Sequence, residues 1–267
     1  MKNLSLLLLL AFNLSAHAYH VDEHRVITRQ AFKELTACFP KAKPLLSIEL
    51  IVNGDADEDL DVFTKWLFYS HYYNPNKKLD MRRADSADRV STLSSTLRTP
   101  KNARPNLLEM SDLGHMIHHL QDSTVPAHVV PVDHSLWDGF ERYKSGDFTS
   151  GLTCDEITAL AASDALTILK DTALSTLSNI SGSQYGPGFW VESKSNAFGS
   201  YGYLGNNFGE VDFDNDGVSY HIDDSVYVAF KTAQLQLATQ ATIRGLMWEL
   251  GGDLKKTNDL CLPEAFE

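Results

Sequence analysis

The chain has 267 residues, 43% of them hydrophobic, with 35 acidic against 23 basic side chains and a formal net charge of −12. That is enough chain for one large domain, and an acidic surface disfavours nonspecific binding to nucleic acid or anionic lipid, while bound divalent cations would offset part of the charge. Cys38, Cys154 and Cys261 are an odd number whose spacing fits no zinc ribbon, so they read as structural, with room for one disulfide and a spare thiol.

Residues 1–18, MKNLSLLLLLAFNLSAHA, carry an early lysine, a leucine-rich run and a terminal Ala16-His17-Ala18, the pattern of a secretory signal with an A-x-A cleavage site. The run is too short to span a bilayer, and no later stretch is long and apolar enough. The expectation is an exported protein, secreted or periplasmic, that begins at Tyr19 after processing. Residues 19–267 then form a single domain, because no linker, repeat or low-complexity tract interrupts them.

The first expected helix is HRVITRQAFKELTACF, where Ile27, Ala31, Leu35 and Cys38 recur at helical spacing, His24 shares their inward face, and Pro40 ends the run. A second helix is expected around Leu45–Val52, ending at Gly54. SADRVSTLSSTLR reads as a third and NLLEMSDLGHMIHHLQD as a fourth. CDEITALAASDALTILKDTALSTLSNI reads as one long helix from Asp155. DSVYVAFKTAQLQLATQATIRGLMWELGG is the last, capped at Asp224 or Ser225 and stopped by Gly251-Gly252. Between these two lies a Gly- and aromatic-rich segment, about 181–221, long for a loop. Period-2 strands are absent, so the fold class is all-α.

Residues 115–128, HMIHHLQDSTVPAH, hold four histidines and an aspartate. On a helix, Leu113, Met116, Ile117 and Leu120 fall on one side and His115, His118 and Asp122 on the other. His118 and Asp122, four apart, place their side chains about 5–6 Å apart on one face, which suits two ligands of one metal or a carboxylate bridging two. His128 follows the proline-broken loop. GDADEDLDVFTKWLFYSHYYNP sets five acidic residues before His71, and DHSLWDGFE sets His134 four residues before Asp138. Together these are more His and Asp than a core buries unpaired. Imidazole and carboxylate without thiolate are the donors of catalytic zinc sites.

These pieces resemble the zinc-dependent phospholipase C / S1–P1 nuclease superfamily over most of residues 19–267. LGHMIHHLQDSTVPAH resembles that family's central His-x3-Asp-x5-His motif, SHYYNP its SHFYDP-type segment, HSLWDGFE its His-x3-Glu/Asp element, and the helix beginning near His24 its N-terminal ligand helix. The resemblance implies a multi-helix bundle with a trinuclear zinc site in a cleft. Tyr19, through its free amine and carbonyl, and His24 would hold one zinc with Asp122 as a bridge. Asp59, His71, His118 and Asp122 would hold the second, and His128, His134 and Asp138 the third. Tyrosine replaces the family's usual N-terminal tryptophan, but the ligand atoms there are main chain. Asp57 and Asp61 compete with Asp59, and Glu141 with Asp138; surplus acids in 55–61 would form a solvated turn. His115, His119, His20 and His221 stay outside this ligand set.

The implied chemistry is phosphodiester hydrolysis by metal-activated water, with Asp59 as general base. The phospholipase C reading gives diacylglycerol and a phosphorylated headgroup from phospholipid during transient contact with a membrane surface. The nuclease reading gives 5′-nucleotides from single-stranded nucleic acid. SHYYNP, and a central motif without the nucleases' HQPLH wording, favour the lipid, although HSLWD and the Tyr19-to-His24 spacing favour the nuclease. Either enzyme would act as a monomer. A non-catalytic zinc-binding exported protein is the reading from another class. Finally, DFDNDGVSYHID (212–223) begins like an EF-hand loop, making Asp212, Asp214, Asp216 and Asp223 candidate calcium ligands; an acidic Asp/Gly turn is the alternative.

Overall fold

Helix α1, Val21–Cys38, buries His24, Ile27, Thr28, Ala31 and Leu35 along one stripe and places Asp22 and Glu23 in its first turn, where they complement the helix dipole. It belongs to a computed structural model of the chain that describes residues 21–60, 71–79, 85–97, 107–134, 138–143, 146–160, 164–183, 186–209 and 224–254. Pro40 ends α1 as expected and opens a 3-10 turn over Pro40–Leu45. Cys38 is disulfide-bonded to Cys154, tying the end of α1 to the start of a short helix 116 residues later. Cys261 lies outside the described residues.

The described residues form an all-α fold, with α2 (Ile48–Leu60), α3 (Ser86–Leu97), α4 (Leu107–Asp122), α5 (Pro126–Val129), α6 (Gly139–Arg142), α7 (Cys154–Ala159), α8 (Ala165–Gly182), α9 (Gly186–Phe189) and α10 (Asp224–Leu254). A two-residue antiparallel pair, β1 (Trp190–Val191) with β2 (Ser200–Tyr201), is the one sheet among these residues. No described helix is long and apolar enough to cross a membrane.

The central helix is α4. Leu113, Met116, Ile117 and Leu120 pack into a core with Val90 and Leu93 of α3 and Ile243, Leu246 and Met247 of α10. Each such fully buried side chain contributes about 1.5–3 kcal/mol. The opposite side is just as dry: His118, His119 and Asp122 are all 0% exposed. The sequence pattern reads as an amphipathic helix, and the structure covers its polar face with α1 and α2.

Three expected boundaries change. Helix α2 does not end at Gly54 but runs through it to Leu60. A Cβ on Gly54 would lie 2.2 Å from the Ser111 carbonyl, and one on Gly114 would lie 2.2 Å from the Ile51 carbonyl. These glycines are where α2 and α4 cross backbone to backbone, and close approach rather than helix termination is their function. The expected long helix after Cys154 is two, because Thr153 caps α7 in a capping box with Glu156 and Asp164 separately caps α8. Helix α10 continues through Gly251 and Gly252 to Leu254.

The described part of the Gly/aromatic segment is a second core. Phe189, Trp190 and Phe208 meet Phe140 of α6 and Tyr227 and Phe230 of α10 at ring-centroid distances of 4.8–6.1 Å. The segment braces α6 as well as covering the domain.

Candidate metal centre

The α2–α4 crossing sets the site. Asp55 and Asp59 lie one turn apart on the face of α2 that meets α4, and both are 0% exposed. Asp57 points to solvent on the opposite face of the helix, so helical period separates it from the carboxylates at the site. Asp61 lies outside the described residues.

Four imidazoles converge here in a common orientation. His118 Nδ1 donates to the Asp55 carbonyl at 2.8 Å, His128 Nδ1 to the His71 carbonyl at 2.8 Å, and His134 Nδ1 to the Val132 carbonyl at 2.7 Å. His24 Nδ1 donates to Gln121 Oε1 at 2.6 Å. In its neutral form each therefore carries its lone pair on Nε2. Those Nε2 atoms face carboxylates. His118 Nε2 lies 3.3 Å from Asp122 Oδ2 and 3.7 Å from Asp59 Oδ1. His24 Nε2 lies 3.6 Å from Asp122 Oδ1 and 3.8 Å from Asp59 Oδ2. His128 and His134 Nε2 lie 3.3 and 3.2 Å from Glu141 Oε1. His71 Nδ1 completes the set, 3.2 Å from His118 Nε2 and 2.6 Å from Asp122 Oδ2.

Most of these separations suit a shared cation. Ligand atoms about 2.0–2.1 Å from a tetrahedral zinc stand about 3.3 Å from one another. The 2.6 Å contact between His71 and Asp122 is a direct hydrogen bond instead. Asp122 Oδ1 is buried without a hydrogen-bond partner, and the donors are nitrogen and oxygen only. The described residues thus offer four overlapping groups that fit zinc: His24, His118 and Asp122; Asp59, His71 and His118; His71, His119 and Asp122; and His128, His134 and Glu141.

The electrostatics agree with this crowding. Burial opposes the charged form of Asp122, yet His118, His128 and His71 hold its carboxyl well below the ordinary value. Burial opposes protonation of His118, and Asp122 and Asp59 nevertheless raise it well above. Burial likewise opposes a charged His128, but Asp122 and Glu141 push it up to about 9. Glu141 resists burial's upward pull because His134 and His128 bring it down to about 2.

One expected residue sits elsewhere in the hydrogen-bonding scheme. Asp138 accepts from the Glu141 main-chain N–H as N-cap of α6 and from the Tyr201 hydroxyl. Burial and the neighbouring Glu141 push its carboxyl up. Glu141, seven residues after His134, takes the place beside the two imidazoles because α6 turns it back toward them. Tyr19 and the calcium candidates Asp212, Asp214, Asp216 and Asp223 lie outside the described residues.

Several groups at the site carry little sequence signal. Thr28 and Gln121 both hydrogen-bond Asp55, and Gln121 also reaches Thr242 of α10. Lys231 of α10, fully buried, donates to Glu23 at 2.8 Å and to the Phe140 carbonyl at 2.9 Å, and sits 4.4 Å over the Phe140 ring. Glu58 takes Arg89 at 2.9 and 3.0 Å, His115 at 2.7 Å and His119 at 3.1 Å. A lysine in an amphipathic helix or an acid in an acidic run looks solvated until its partners are known.

The sequence matches no protein-family profile and no curated protein. Among solved structures, the alpha-toxin of Clostridium perfringens, from avian strain SWCP, aligns with a TM-score of 0.52 at 14% identity, covering 92% of this chain and 67% of the toxin's. At that identity the likeness is one of fold.

Proposed function

We propose that this chain is an exported zinc-dependent phosphodiesterase that hydrolyses phospholipid as a phospholipase C. The observation that carries the reading is the shared orientation of His24, His118, His128 and His134, each donating Nδ1 and presenting Nε2 to a carboxylate at 3.2–3.6 Å. Imidazoles held this way are built to ligate.

His24 and Asp122, joined by the processed terminus at Tyr19, would hold one zinc; Asp59, His71, His118 and Asp122 a second; and His128, His134 and Glu141 a third. Bound zinc would lower the pKa of a water toward neutral and would offset charge on the phosphoryl oxygens. Asp59 receives the proton of the attacking water. The water oxygen would join phosphorus, the bond from phosphorus to the glycerol oxygen would break, and the proton held by Asp59 would pass to that oxygen, releasing diacylglycerol and the phosphorylated headgroup. Burial of the whole group excludes bulk water and strengthens each of these contacts.

A cleft of ≈ 730 Å³ reaches Glu141 and is lined by three further acids, Asp22, Glu23 and Asp147, against one cation, Arg142, with Tyr143 and Phe148 among the rest. Its acidic wall disfavours a polyanionic strand and suits a headgroup that carries a positive charge beside its phosphate. This supports lipid over nucleic acid. The test is hydrolysis of phosphatidylcholine vesicles and of single-stranded DNA and RNA by protein processed at Tyr19, with and without chelator. Chelator-sensitive release of diacylglycerol is expected. Cleavage of nucleic acid alone would make the chain a nuclease, and bound zinc without either activity would make it a non-catalytic binder.

A further inference from the structure

Helix α4 presents His115, His118, His119 and Asp122 on one face, spaced i, i+3, i+4 and i+7, and α2 answers with Asp55, Glu58 and Asp59, spaced i, i+3 and i+4. At both ends of this pairing α2 accepts from an imidazole of α4. At one end Asp55 braces His118, its carbonyl accepting from Nδ1 at 2.8 Å. At the other Glu58 braces His119, its Oε1 lying 3.1 Å from Nε2. His118 stands in the zinc motif. His119 does not, yet it too is braced from α2, through its other ring nitrogen and by a side-chain carboxylate.

His119 is 0% exposed. With Nε2–H given to Glu58, its Nδ1 carries a lone pair, and that atom is buried without a hydrogen-bond partner. One of its ring nitrogens lies within 4.8 Å of ligand atoms of both His71 and Asp122, a grouping that includes neither Asp59 nor His118. The ring centroids of His71 and His119 are 5.3 Å apart. Neutralising Glu58 does not account for this histidine, because Arg89 already bonds Glu58 through two nitrogens and His115 Nδ1 reaches it at 2.7 Å. An apolar side chain would fill the volume without stranding an acceptor.

We propose that His119 is a further zinc-ligating residue of this chain, completing the coordination offered by His71 and Asp122, and that Glu58 is the residue that positions it. The carboxylate–imidazole–metal arrangement is the one that fixes tautomer and ring orientation at metal sites. It rests on the zinc reading above.

The test uses the chain processed at Tyr19, loaded with zinc or with Co²⁺ as a spectroscopic stand-in. His119→Phe keeps a ring of similar volume, removes both nitrogens, and leaves Glu58 with Arg89 and His115. It should weaken retention of one zinc at least 10-fold in competition with a chelator and change the Co²⁺ d–d bands. Glu58→Gln should weaken retention about 10-fold without changing band shape, as expected of a group acting through its neighbour. His119→Gln serves as a second probe should the phenylalanine variant fail to fold, with circular dichroism of the metal-free protein as the check. Unchanged zinc affinity and Co²⁺ spectrum in a folded His119 variant would overturn the proposal while leaving the phosphodiesterase reading intact. A wild-type chain that binds no zinc would remove both.

Discussion

The two halves of the candidate metal centre are held in place by different physics. His24, Asp59, His118 and Asp122 stand on α1, α2 and α4, helices of three turns or more, of which α2 and α4 are locked by the glycine crossing at Gly54 and Gly114. His128, His134 and Glu141 stand on four-residue helices and the chain near them. That second group is held by tethers: Lys231 to the Phe140 carbonyl, Asn206 Oδ1 to the Gly139 N–H, and the Tyr201 hydroxyl to Asp138. The first half is positioned by backbone geometry that side-chain changes barely touch. The second depends on individual hydrogen bonds from distant parts of the chain, and each of those can be removed alone.

The largest expected effect is at the crossing. Gly114→Val drives a side chain into the Ile51 carbonyl, a main-chain atom that cannot rotate away. We expect a loss of about 3 kcal/mol in urea unfolding, together with the zinc of the crossing half by elemental analysis. A variant that keeps its zinc would show that helix spacing does not set the buried half.

Next in size is a pH effect on the chelated protein. His128, raised from 6.5 to about 9, contributes stability that is fully present below pH 6.5 and lost as pH rises through about 9. Glu141, lowered from 4.5 to about 2, contributes stability that is present above pH 4.5 and lost as pH falls through about 2. The metal-free chain should therefore be most stable between these values, losing on the order of 2–3 kcal/mol toward pH 9. Hydrogen exchange in that range should rise first around residues 128–141. Zinc should reverse the alkaline trend, since it binds imidazole without its proton; a zinc-loaded chain that weakens toward pH 9 in the same way would count against zinc at His128.

Lys231→Met should cost about 2 kcal/mol through its bonds to Glu23 and the Phe140 carbonyl. Its informative consequence is selective: zinc at the tethered half is lost while zinc at the crossing stays. Equal loss from both halves would dissolve the distinction. Smallest is Asp138→Ala, expected to cost about 1 kcal/mol as a lost helix cap and to leave zinc content unchanged. Glu141→Gln should instead lose one zinc and, in the metal-free chain, also the stability its charge contributes beside His134 and His128. The reverse pattern would make Asp138 the ligand.

How legible each half was in the sequence follows from the same contrast. His118 and Asp122 are four residues apart on one helix, so their shared face could be read from local periodicity, as could the inward stripe of α1 that carries His24. The paired glycines could not: Gly54 reads as a helix end, and only the presence of α4 against it shows that a missing side chain lets two backbones meet. Asp138 stood at the expected spacing from His134, but spacing predicts reach only where the backbone is regular, and here the chain turns through α6. Lys231 and Glu58 gave no sign of their partners, 91 and 61 residues away at Phe140 and His119.

Sequence alone determined the helical class, the main helices and the donor chemistry, because helix period and side-chain type are local properties. Tertiary structure decided that Glu141 rather than Asp138 meets the imidazoles, that the polar face of α4 is buried, and that His119 is braced toward the centre. Those outcomes depend on which distant segments share space, and no window along the chain encodes that by itself.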